Sequence, residues 1–130
     1  MYEDKDYSLT KVNILGSQSI HCGFHLFPYI SNTIIRNLKS SAYVFITDST
    51  IANLHLNRLQ NEFNHTLNEL NSSAKVLSYV VPPGEGSKSR AVKEEIEDWM
   101  FSNRLTRDTV VIALGGGVIG KFHYNCYLFT

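Results

Sequence analysis

The chain is 130 residues long, 43% hydrophobic and 18% charged, which suits one globular domain and does not favour disorder. Twelve basic residues balance twelve acidic ones with no run of like charge, so neither nucleic acid nor an anionic membrane is indicated as partner, while small polar ligands stay open. Cys22 and Cys126 are too few for a disulfide framework, no apolar stretch reaches spanning length, and Met1 to Tyr7 is polar and acidic; together these predict a cytoplasmic protein.

After a loose lead-in over Met1 to Thr10, Lys11 to Leu15 and Ser19 to Phe24 read as two short strands around Gly16 and Ser17, a hairpin at the edge of the domain. The period then changes. Phe27, Ile30, Ile34 and Leu38 recur at helical spacing, with Pro28 tolerated in a first turn, and predict a helix to about Lys39. Ala42 to Thr47 is a buried strand ending in Asp48, Ser49 and Thr50, residues suited to a turn or a helix cap. Ile51, Leu54, Leu59, Phe63, Leu67 and Leu70 describe one face of a helix running to about Leu70.

Lys75 to Val81 is the next strand, stopped by Pro82-Pro83-Gly84 because proline cannot donate to a ladder. Ser87 to Arg104 is a helix with Val92, Ile96, Trp99 and Met100 on its apolar face and Lys93 one turn from Glu97 on the wet side. Thr109 to Leu114, β-branched and apolar, reads as a strand buried on both faces, and Gly115 to Gly117 follow as a sharp turn. The alternation implies an α/β fold: a Rossmann-like parallel sheet with flanking helices and an N-terminal β-hairpin, incomplete at the C-terminus.

In such sheets ligands gather beyond the carboxyl ends of the strands, where three loops lie: Asp48 to Thr50, Pro82 to Lys88 and Gly115 to Val118. Asp48 suits the hydroxyls of an adenosine ribose; taken without the other loops, the N-cap of the following helix is the favoured reading. Lys88 can reach a phosphate or ribose oxygen with Glu85 orienting it; the other reading is a charged helix start with no ligand. Gly116, Gly117 and Val118 offer backbone N–H groups to a diphosphate, or simply let a strand meet a helix. His123 and Cys126 have a His-x-x-Cys spacing, but two ligands do not make a zinc site. His21 and Cys22 fall on a strand, and His55 and His65 on the wet side of their helix.

Pro83-Gly84-Glu85-Gly86-Ser87-Lys88-Ser89-Arg90, Ile96-Glu97-Asp98-Trp99-Met100, and Thr106-Arg107-Asp108-Thr109 leading into the glycine loop together resemble 3-dehydroquinate synthase. The likeness is to the N-terminal domain of the fungal pentafunctional arom polypeptide and runs from about Val12 to Gly120. It implies the NAD-binding part of a zinc-dependent, homodimeric lyase of the shikimate pathway. That lyase converts a seven-carbon keto-acid phosphate into a carbocycle by transient oxidation, phosphate elimination, reduction and an aldol closure.

By the same resemblance, the NAD contacts fall on Asp48, Ser49 and Thr50, on Glu85, Gly86, Ser87 and Lys88, and on Gly116, Gly117 and Val118. Thr50 stands where the family has asparagine. After Gly120 the family continues with aspartate and a helix, whereas this chain has Lys121 and a tail in which Phe122, Tyr124, Cys126 and Leu128 alternate as in a strand. Residues 1–120 therefore read as the NAD-binding domain and residues 121–130 as a divergent tail. The family's zinc ligands and catalytic lysines lie beyond the likeness, so the expectation for this chain is nucleotide binding with no metal site and no synthase activity. A metal-dependent alcohol or glycerol dehydrogenase relative shares a glycine-rich loop but not the other strings, and a non-catalytic nucleotide-binding fragment fits every position named.

Overall fold

The computed structural model describes residues 9–14, 16–83, 90–115 and 126–129. Strands β1 (Thr10–Ile14) and β2 (Ser17–Cys22) pair antiparallel as the expected hairpin, with Ile14 opposite Ser17. Gly16 in the turn has φ +83°, a region glycine enters without steric cost. The two strands lie one and two residues earlier than the sequence pattern suggests. Helix α1 (Phe27–Asn37) carries Pro28 in its first turn, where no N–H is needed, and buries Ile30, Ile34 and Ile35.

Strand β3 (Ala42–Asp48) is buried from Ala42 to Thr47 because its two faces meet different helices. It leads into one continuous helical stretch made of α2 (Ser49–Ile51), a π turn over Ala52–Leu56, and α3 (Asn57–Glu69). The π turn corrects the single helical stripe read from the sequence. Its wider turn rotates Leu54 out to 62% exposure and brings Leu56 into the core at 8%. Leu70, past the helix end, is also exposed, while Leu59, Phe63 and Leu67 keep the expected inward face.

Strand β4 (Lys75–Val81) runs over the residues expected of it, α4 spans Arg90–Ser102, and β5 spans Val110–Leu114. The expected start of α4, from Ser87, lies outside the described residues. Its end comes before Arg104, which takes φ +56° in the turn that follows. Strand β6 (Cys126–Phe129) comes from the tail and pairs parallel with β5, Val111 beside Cys126 and Leu114 beside Phe129. The sheet is thus four-stranded and parallel in the order β4-β3-β5-β6, the strand-like alternation of the tail appearing as its last member.

The chain passes from β3 to a neighbour on one side and from β4 back across β3 to β5. Two crossovers of one hand that run in opposite directions must send their helices to opposite faces. The core divides accordingly. On one face α1 and α3 pack Ile30, Ile34, Leu59 and Phe63 on Tyr43, Phe45, Val110 and Ile112. On the other, α4 packs Ile96, Val92, Trp99 and Met100 on Val44, Ile46, Val81 and Val111, with Trp99 edge-on to Tyr79 at 5.2 Å. Lys93 and Glu97 pair at 3.9 Å on the solvent side of α4, as their spacing predicts.

Polar groups fix two further junctions. Ser31 and Thr66 are fully buried between α1 and α3; the Ser31 hydroxyl donates to the Pro28 carbonyl at 3.0 Å, so its 3.0 Å bond to Thr66 takes the Thr66 proton. At the amino end of the sheet, the Asp108 carboxylate accepts from the Ser41 N–H and the Ser41 hydroxyl, each at 2.8 Å, and from the Thr106 hydroxyl, while the Ser40 hydroxyl donates to the Asp108 carbonyl at 2.6 Å. This clasp ties the entry of β3 to the entry of β5.

The hydrogen bond from Thr106, with those from Ser41, holds the Asp108 carboxyl below the usual aspartate range. A carboxyl with a depressed folded pKa adds stability above its unfolded pKa and loses it as pH falls through the folded one. Asp108→Asn is therefore expected to lower the melting temperature near neutral pH. The gap to the parent should close as the solution is acidified below the ordinary aspartate range. Paired thermal melts across that range check it, and a gap that stays constant with pH contradicts the role of the charge.

Candidate nucleotide site

In the parallel register Asp48 lies beside Val81, and Thr47 lies beside both Val80 and Leu114, so β3, β4 and β5 end together at one rim. Adjacent strands β3 and β4 send their following helices to opposite faces, α3 with one half of the core and α4 with the other. The strand order reverses between β3 and β5, since β3 leads to β4 on one side and β5 leads to β6 on the other, and a crevice opens at the carboxyl ends of strands that part in this way. Its described borders are Asp48 to Ile51 at the exit of β3 and Gly115 at the exit of β5, with Val81, Pro82 and Pro83 at the exit of β4 one strand away.

Asp48 is half-buried and extended, with φ −93° and ψ 167°, and its Oδ1 accepts from the Ile51 N–H at 2.8 Å. The capping role read from the sequence is therefore present. Because only one carboxylate oxygen makes that bond, the second acceptor of the same group is left for other donors at the rim. Ser49 is half-buried and Thr50 exposed in the turn that Asp48 caps. Gly115, buried at the exit of β5, has φ +145°, a conformation that side chains strongly disfavour, so the chain needs glycine at the first step out of the strand.

The other proposed contacts, Glu85, Gly86, Ser87, Lys88, Gly116, Gly117 and Val118, lie outside the described residues, as do Gly84, His123 and the Phe122 and Tyr124 part of the tail. The strands that lead to them place their roots, Pro83 and Gly115, on the same rim as Asp48.

Residues 78–125 match the family model described as 3-dehydroquinate synthase N-terminal. The pentafunctional AROM polypeptide of Schizosaccharomyces pombe is 49% identical over 113 residues, covering 87% of this chain and 7% of that protein. The chain is similar to the 3-dehydroquinate synthase N-terminal family, as its sequence strings lead one to expect. The Pneumocystis carinii AROM polypeptide is similar at 46% identity over 112 residues, 86% of this chain and again 7% of the relative. The chain thus spans a small part of the length of the curated relatives it matches.

Among solved structures, 2-deoxy-scyllo-inosose synthase has the same fold at TM-score 0.61 and 20% identity, covering 75% of this chain and 26% of that one. A second structure of that synthase, complexed with carbaglucose-6-phosphate, NAD+ and Co2+, matches at TM-score 0.62 and 20% identity over 75% of this chain and 24% of that one. The family match runs to residue 125, past Gly120 where the tail departs from the expected pattern.

Sequence reasoning missed the π turn that begins four residues after Asp48. Apolar residues at both Leu54 and Leu56 concealed it, since either satisfies a helical stripe. The histidines behave as their positions suggest. His55 and His65 are exposed, His65 pairing with Glu69 at 3.0 Å, and His21 on β2 bonds the Tyr29 hydroxyl through Nδ1 at 2.6 Å. Among the described residues no group of three or more His, Cys, Asp or Glu is placed to hold a metal ion. Also among them, no helix is long and apolar enough to cross a membrane.

Proposed function

We propose that this chain is an NAD-binding unit of a 3-dehydroquinate synthase, serving the shikimate pathway as part of a larger protein and binding nucleotide without catalysing the lyase reaction itself. The observation that carries the reading is the shared rim: one register brings Asp48, the exit of β4 and the glycine exit of β5 to the same edge of the sheet.

The described residues suit the cofactor. In the proposal Asp48 keeps its cap to Ile51 and accepts from an adenosine ribose with its remaining oxygen, with Ser49 and Thr50 beside it. In the same proposal Glu85, Gly86, Ser87 and Lys88 supply further contacts to the nucleotide, and the N–H groups of Gly116, Gly117 and Val118 bind the diphosphate, as the resemblance implies. Bound NAD would supply a hydride acceptor for a substrate alcohol. Zinc does not fit the described residues, which hold no ligand cluster. A cytoplasmic location belongs to the same reading, and a free, exposed Cys22 suits a reducing compartment.

Calorimetric titration of the purified chain with NAD+ is expected to give saturable binding. Incubation with NAD+, zinc and the seven-carbon keto-acid phosphate is expected to give no dehydroquinate. A folded chain that takes up no NAD+ overturns the binding reading, and dehydroquinate formation overturns the restriction to binding.

A further inference from the structure

We draw no further inference here: the strongest candidate, the apolar face of the β1–β2 hairpin on which Val12 and Ile20 stand opposite each other, is 40% and 42% exposed, but nothing in the structure shows what covers it.

Discussion

Phe63→Ala is expected to cost about 3–5 kcal/mol of folding stability, a large share of the roughly 5–15 kcal/mol that holds a domain of this kind together. Phe63 is 0% exposed on the inner face of α3. Its ring stands edge-on to Phe45 at 4.9 Å and to Tyr43 at 5.8 Å, so it joins α3 to two successive inward positions of the central strand. Truncation removes apolar area and both ring contacts, and leaves a cavity that the flanking Leu59 and Leu67 cannot fill without moving the helix.

Tyr43 cannot relax into the space freely. Its hydroxyl donates to the Leu38 carbonyl at 2.7 Å, and burial pushes the phenol pKa up, keeping it a neutral donor. Urea unfolding of the parent and variant reads the loss. Leu54→Ala on the same helical stretch is the contrasting substitution. At 62% exposure its cost is expected to stay within about 0.5 kcal/mol, which would not hold if the stretch were one uninterrupted α-helix with Leu54 inward.

The second large effect concerns binding. Asp48→Asn is expected to weaken NAD+ about tenfold or more, since hydrogen bonds to a charged partner are worth about 1.5–3 kcal/mol and the amide keeps only part of that. The melting temperature should hardly change, because asparagine caps a helix about as well as aspartate and can still accept from the Ile51 N–H. Asp48→Ala should lose both the affinity and about 1 kcal/mol of stability. Calorimetry and thermal melts on the same three proteins separate the two roles. Unchanged affinity in the Asn protein would reduce Asp48 to a cap.

How far the sequence alone reaches is clearest by comparing its elements. Ala42 to Thr47 and Thr109 to Leu114 are legible as buried strands because β-branched and aromatic residues run without a polar face, and helices pack on both faces of β3 and β5; Lys75 to Val81 is legible as a strand, but at the end of the strand order only its Val81 is buried. Their order gives the parallel topology, and with it the rim. The π turn is not legible, because it changes which of two leucines faces inward without changing the composition. Nor is the clasp of Ser41, Thr106 and Asp108, whose members are brought together only once β3 and β5 are neighbours.

The strand character of the tail can be read from its alternation, whereas its place beside β5 depends on the sheet having an open edge there. For the site, the position of Asp48 follows from the strand it ends. Its bond to Ile51 shows the capping role, which the proposed ligand contact through the other carboxylate oxygen does not displace.

The amide spectrum of isotopically labelled protein, recorded by NMR as NAD+ is added, tests most directly whether three loops act as one nucleotide site. The account predicts shifts that saturate together at Asp48 to Ile51, at residues 84–89 and at residues 115–118, with Ser41 and Asp108 at the far end of the sheet unmoved. Shifts confined to a single loop, or centred on Ser41 and Asp108, would contradict it.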